Sequence, residues 1–193
     1  RVSGALDSSY HMVDTTRHVS FPGFSRTAKG ETYGYTLSAY AELSYGGGTD
    51  QTQIEPFAGV NVTHSRIDDY AESGGGPANL HVGSARKTVP GHIIGVRAAH
   101  LVSNDAGTGL QLRGQLGWRH NYGGLGTDST MRFSAGTTPF TVRGPSIVRD
   151  AAVVGAGAEA RIGGRTALYV DYDGLLSPDE QNHSLSAGIK VRF

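Results

Sequence analysis

Apolar and polar residues alternate with a period of two along most of this chain. In the closing stretch, Leu185, Ala187, Ile189, Val191 and Phe193 fall on one side of an extended segment. Ser186, Gly188, Lys190 and Arg192 fall on the other. Alternation of this kind predicts a β-strand with one apolar and one polar face. Seven earlier segments read the same way. Arg1 to Val13 sets Val2, Leu6, Tyr10 and Met12 against Ser3, Asp7 and His11. Gly34 to Tyr45 sets Tyr35, Leu37, Ala39, Ala41, Leu43 and Tyr45 against Thr36, Ser38, Tyr40, Glu42 and Ser44. Gln53 to Ser65, His92 to Val102, Leu110 to Tyr122, Ala152 to Ile162 and Arg165 to Gly174 complete the set.

A soluble β-sandwich and a membrane β-barrel both produce such strands. The connections separate them. Asp14 to Tyr33, Arg66 to Gly91 and Gly123 to Asp150 are expected as long connections. Gly46 to Asp50, Ser103 to Gly109 and Gly163-Gly164 are expected as short turns, and Leu175 to Asn182 as a loop of moderate length. Long and short therefore alternate. Outer-membrane barrels have short turns at one rim and longer loops at the other, whereas a sandwich has no reason to obey that rule. The predicted fold is all-β, an antiparallel transmembrane β-barrel with eight readable strands. Each strand is expected to be about the 9–11 residues that cross a bilayer at a tilt.

The charged residues fit the same choice. Glu42, Glu55, Arg97, Arg113, Arg119, Glu159, Arg161, Asp171, Lys190 and Arg192 lie opposite an apolar face, in mid-strand or near it. In a barrel they line a wet lumen, where charge is tolerated. On the lipid face at mid-bilayer a charge costs about 2–4 kcal/mol. Both signs are present, so cross-barrel ion pairs are expected.

Composition adds a few exclusions. Gly is 29 of 193 residues, and small residues recur where strands tilt and bend into barrels. The formal net charge is zero, which offers no nucleic-acid footprint. There is no Cys, hence no disulfide framework and no thiolate metal site. No run of apolar residues is long enough for a membrane helix. The chain opens on Arg1 without Met, inside an alternating segment, so a processed or truncated chain is expected.

Candidate chemistry is sparse. The eight histidines form no HExxH motif, Gly74-Gly75-Gly76 lacks the Lys-Ser/Thr of a phosphate loop, and no GxSxG is present. No cofactor, no metal and no enzymatic activity are expected. Two alternatives stay open: a hydrolase at the barrel rim built from Asp68, Asp69, His64 and His120, and a small surface adhesin whose loops make the contacts.

Several short motifs occur in one order: Phe21-Pro22-Gly23-Phe24-Ser25-Arg26, Ile54-Glu55-Pro56-Phe57-Ala58-Gly59, Gly117-Trp118-Arg119-His120, Phe140-Thr141-Val142-Arg143-Gly144-Pro145 with Arg149-Asp150-Ala151, and Lys190-Val191-Arg192-Phe193. Together they resemble the C-terminal translocator domain of Gram-negative autotransporters. The resemblance implies an outer-membrane barrel that anchors a passenger domain and is needed for its export to the cell surface. It implies a periplasmic C-terminus, extracellular long loops, and a terminal strand (Ile189, Val191, Phe193) read by the barrel-assembly machinery. The expected partners are outer-membrane lipid, that machinery and the chain's own passenger segment in the lumen, with a monomeric barrel and no nucleic acid. Family barrels have twelve strands and a helix through the pore. Residues 1–193 are therefore expected to lack the first strands and that helix, and no self-cleavage residue is carried over.

Overall fold

Strand alternation extends further than the apolar pattern alone predicts. The computed structural model describes residues 1–105, 108–162 and 164–192. The strands are β1 (Val2–Phe21), β2 (Phe24–Ser44), β3 (Gly47–Gly48), β4 (Thr52–Ile67), β5 (Tyr70–Ala71), β6 (Leu80–Val82), β7 (Ala85–Asp105), β8 (Thr108–Asn121), β9 (Ser129–Phe133), β10 (Phe140–Val142), β11 (Asp150–Ile162), β12 (Thr166–Leu176) and β13 (Gln181–Val191). One turn of 3₁₀ helix, Gly76–Ala78, lies between β5 and β6.

The eight long strands form one antiparallel sheet in the order β1-β2-β4-β7-β8-β11-β12-β13, with β3 paired to β4. The sheet curls into a half-barrel. Each long strand pairs with the long strand before and after it in sequence. Among the described residues no ladder joins β1 to β13, so both outer edges are unpaired.

Several expected boundaries need correction. Asp14 to Tyr33 is not a connection. Val13 pairs with Thr32, and the ladder runs on to Phe21 opposite Phe24. Pro22-Gly23 is the whole turn, with Gly23 at φ 81°, the left-handed conformation that the third residue of a type II turn requires. β1 and β2 hold 20 and 21 residues, about 65–70 Å of extended chain, roughly twice what a bilayer needs. β7 likewise begins at Ala85 rather than His92, and the loop before β13 shrinks to residues 177–180. Within the expected Ser103 to Gly109 turn, β7 runs on to Asp105 and β8 begins at Thr108; Ala106 and Gly107 lie outside the described residues.

Phe140-Thr141-Val142 lies inside the expected long connection Gly123 to Asp150 and is itself a strand, β10. It pairs with Ser129–Met131 in a second, four-stranded sheet, β10-β9-β6-β5, built from two long loops. The loop around β5 and β6 is clasped to the β1–β2 hairpin. Arg17 Nε donates to Glu72 Oε1 (3.1 Å), and Arg17 Nη2 donates to Glu72 Oε2 (2.5 Å) and to the Ala78 carbonyl (2.7 Å). The Leu80 N–H donates to Glu72 Oε2 (2.8 Å), and Thr32 Oγ1 donates to the Asp68 carbonyl (2.8 Å).

The two faces of the main sheet differ sharply. One carries Leu6, Leu37, Leu43, Val60, Val96, Leu112, Leu116, Leu168, Val170, Ile189 and Val191, all exposed. Among the described residues no second layer covers this convex face, as a soluble sandwich would require. Apolar patches of that extent mark a surface that meets something other than water. The concave face packs mostly against itself. Rings there lie over glycines of the next strand. A Cβ on Gly59 would meet the Tyr40 ring at 2.9 Å, one on Gly95 the Phe57 ring at 2.7 Å, and one on Gly188 the Tyr169 ring at 2.8 Å. Three strand pairs thus interlock through a ring seated where no side chain stands.

Candidate functional site

The polar face of the sheet concentrates its chemistry in two charge clusters. The first spans β2, β4, β7 and β8. Arg97 Nη1 and Nη2 donate to the two carboxylate oxygens of Glu42, both at 2.7 Å, in a parallel fork. Arg97 Nη1 also reaches Glu55 Oε1 (3.2 Å), and Arg97 Nε donates to Gln115 Oε1 (3.1 Å). The guanidinium carbon lies 3.8 Å from the Phe57 ring centroid, a cation–π stack. Tyr40 donates its hydroxyl to Glu42 Oε2. The Glu42 side chain is 6% exposed, so one buried carboxylate is met by a fork and a phenol. Period-two alternation puts Tyr40 and Glu42 on one face, and the ladder sets Glu42 opposite Gly59 and Tyr40 opposite Asn61.

The second cluster spans β8, β11, β12 and β13. Arg113 Nη2 donates to Asp171 at 2.9 and 3.2 Å, and its Nη1 lies 3.7 Å from Glu159 Oε2. Lys190 Nζ donates to Glu159 Oε2 (2.7 Å) and stands 4.9 Å from the Tyr169 ring centroid. Between the clusters runs an open trough of about 560 Å³, lined by Arg1, Glu55, Arg97, Arg113, Gln115 and Asp171 among others. Its walls carry both signs of charge. The arrangement neutralises charge across neighbouring strands and leaves a wet, polar concavity. It gathers no nucleophile with a base.

Seven of the ten charged positions singled out in the sequence fall in these clusters. The other three do not. Arg119, opposite Ala151 on the polar face, has a buried Nε with no hydrogen-bond partner among the described residues. Arg161 is exposed near the end of β11, and Arg192 follows β13 with its backbone N–H on the Arg165 carbonyl (2.9 Å). Tyr40, Phe57, Gln115 and Tyr169 take part in the clusters although sequence reasoning gave them no role. Ile189 and Val191 are exposed on the convex face of β13, and Phe193 lies outside the described residues.

The rim residues considered for hydrolysis point elsewhere. His64 Nδ1 lies 2.7 Å from Thr88 Oγ1, and Arg66 Nε donates to Asp68 (2.9 Å). His120 Nδ1 lies 2.7 Å from Asp150 Oδ1, which also accepts from Trp118 Nε1 (3.0 Å). His92, Trp118, His120 and Tyr122 pack as one aromatic group, with ring centroids 4.7–5.7 Å apart. That group sits on the convex face at its long-loop end, with Tyr10, Tyr35, Tyr172 and His183 further round the sheet. Amphipathic rings at such a height form the girdle where a barrel meets the membrane interface.

Comparison with known proteins agrees with this geometry. The family model described as autotransporter β-domain matches residues 1–173. Two extracellular serine proteases of Serratia marcescens are 31% and 30% identical to the chain over 185 residues, which is 96% of it. The chain spans only 18% of the length of each of these relatives. An open antiparallel sheet with a bare apolar convex face, a charge-paired concave face and a family match over nearly all its length leads to one assignment: the chain belongs to the autotransporter β-domain family.

Proposed function

We propose that this chain forms part of the wall of an outer-membrane translocator, with the bare convex face in lipid and the charge-paired concave face toward a lumen. There it anchors a passenger and admits it to the cell surface. The observation that carries this reading is the pairing of an uncovered apolar face with an autotransporter β-domain match. Glu42, Glu55, Arg97, Arg113, Arg119, Glu159, Arg161, Asp171, Lys190 and Arg192 are the lumen-facing set. The trough beside Arg97 and Arg113 is the surface past which a passenger segment moves. Charges paired within the wall hold no strong field of one sign, so a mixed polypeptide meets no electrostatic barrier.

Orientation follows from what projects beyond the apolar band. The end that carries the overlong β1–β2 hairpin and the second sheet, built from the two long loops, faces outward, and the opposite end faces the periplasm. In lipid, the free edges of β1 and β13 cannot stay unpaired, since each unsatisfied backbone group costs several kcal/mol. Further strands of the same protein therefore cover them. The exposed apolar stripe of β13, Ile189 and Val191, is offered together with the Phe193 that follows in sequence to the assembly machinery. The domain's role is transport and anchorage. The word protease in the relatives' names describes chains more than five times as long as the matched region.

The test uses the full-length protein in cells. Surface labelling of its passenger should be lost when residues 1–193 are deleted, while the passenger accumulates in the periplasm. Surface display that persists without these residues would overturn the reading.

A further inference from the structure

We propose that the convex face over β1, β2, β4 and β7 holds one specifically seated phosphorylated lipid. Its phosphate rests on Arg66 and Arg86, and an acyl chain lies in the groove directly beneath. The proposal rests on the placement of this face in the membrane.

The groove is the first observation. The ladder aligns Leu6 with Ala39 and Val62, and Ser8 with Leu37 and His64. Ala39 and Ser8 are small, while Leu6, Leu37 and Val62 stand up around them. The result is an outward-facing channel of about 400 Å³ with almost wholly apolar walls. Its upper end is closed by a polar shelf. The His64 and Tyr35 ring centroids are 5.9 Å apart, and His64 Nδ1 reaches Thr88 Oγ1 at 2.7 Å.

The charge is the second observation. One row above His64 and Thr88, the ladder sets Arg66 directly opposite Arg86, with Tyr35 on the other side of Arg66. All three share the convex face. Like charges facing each other across a ladder are destabilising. Asp68 relieves Arg66 through a single bond to Nε, with both side chains about half exposed. Arg86 is exposed and has no hydrogen-bond or ion-pair partner among the described residues. Two outward guanidiniums and one carboxylate, bonded to Arg66 alone, leave a positive seat, and guanidinium forks fit phosphate oxygens.

The two features are one residue pair apart, about 7 Å along the strands. A molecule with a phosphate at one end and a hydrocarbon chain below spans both. A free phosphate ion would fill only the upper part. A protein strand would have to displace lipid from the groove without matching the arginines. The far side of the sheet shows the contrast. There the long-loop end of the convex face carries Trp118, His120, Tyr122 and Asp150, with no facing pair of arginines among the described residues.

The test is native mass spectrometry of the full-length protein, extracted into mild detergent and stripped of lipid. It is then offered phosphatidic acid, diacylglycerol with the same chains, or inorganic phosphate. Phosphatidic acid should be retained at least tenfold better than diacylglycerol. R66Q/R86Q should reduce that retention about tenfold, and Ala39→Leu, which fills the groove, at least threefold. Heat-modifiable migration in gels confirms that each variant is folded. Equal retention of phosphatidic acid and diacylglycerol would overturn the proposal, as would full retention by R66Q/R86Q. Displacement of the lipid by equimolar inorganic phosphate would reduce the site to an ion site and also overturn it. Loss of selective retention with the passenger still displayed would sink this inference alone. Loss of display on deleting residues 1–193 bears on the translocator reading instead.

Discussion

Glu72 receives two hydrogen bonds from Arg17, a residue 55 positions earlier, and a third from the Leu80 backbone. This contact lies well beyond the girdle, in the part of the β1–β2 hairpin that outreaches a bilayer. Its Glu72 side chain is only 5% exposed. The Arg17 guanidinium, aided by the Leu80 N–H and working against partial burial, holds the Glu72 carboxyl below its ordinary range. A carboxyl depressed by folding contributes stability that is complete above its unfolded pKa, about 4.3. The contribution is lost as pH falls through the lower folded value. Amide exchange at Ala71, Ser73 and Leu80 should therefore be slow and flat from pH 5 to 7, after correction for intrinsic rates, and should accelerate below about pH 4. In Glu72→Gln it should be fast throughout, with no such step. A step that survives in Glu72→Gln would assign the transition to another group.

Removing one member of the fork between Arg97 and Glu42 should cost more than removing both. Arg97→Leu leaves a carboxylate that is nearly fully buried with only Tyr40 to meet it, a loss of about 3 kcal/mol. Arg97→Leu with Glu42→Leu removes the stranded charge and should recover most of that loss. Urea midpoints of the refolded full-length protein in detergent measure both. A double variant as weak as the single would show that packing, rather than the uncompensated charge, sets the cost.

The ring-over-glycine contacts make a paired forecast. The three atoms nearest a Cβ on Gly59 all belong to the Tyr40 side chain. Gly59→Ala should therefore destabilise by about 1–3 kcal/mol and be rescued by Tyr40→Ala. At Gly95 the nearest atom is the Leu116 carbonyl at 2.6 Å, with the Phe57 ring behind it at 2.7 Å. Gly95→Ala should stay destabilised even with Phe57→Ala, because backbone cannot swing aside. Equal rescue at both sites would refute the distinction.

Site-directed spin labels at Leu37, Val60, Leu116 and Val170 should report hydrocarbon, and labels at Glu42, Arg113 and Glu159 should report water. Oxygen and nickel-complex accessibilities separate the two. Inverted values would mean a one-residue slip of register, which turns every side chain to the opposite face.

The face assignments were legible because lipid imposes a strict period of two on every crossing segment. Leu37 and Glu42 needed only counting. Asp14 to Tyr33 defeated the same method for a physical reason. Beyond the girdle the outward positions pair Asp14 with Glu31, Thr16 with Lys29 and His18 with Thr27, so the strand has no apolar face to count. The ladder continues while the signal stops. The small sheet was hidden differently, since His81 meets Arg132 across some fifty residues that no local pattern links. The charged positions on the polar face were visible, but their partners were not. Arg97 on β7 reaches over β4 to Glu42 on β2, a match set by curvature and stagger rather than by spacing.

Two unpaired edges on an otherwise sequential sheet also bear on the order of events during biogenesis. From β1 to β13 each ladder of the main sheet can zip from its own hairpin or neighbouring loop, with a small chain-closure penalty at every step. A finished cylinder needs one ladder of another kind, between strands at opposite ends of the barrel sequence. That seam carries the highest contact order and so the slowest search. A half-formed sheet waiting for it presents two rows of open backbone groups, a hazard for wrong pairing with any other extended chain. The time spent waiting at the seam, rather than the strength of the wall, is the quantity an assembly catalyst must shorten.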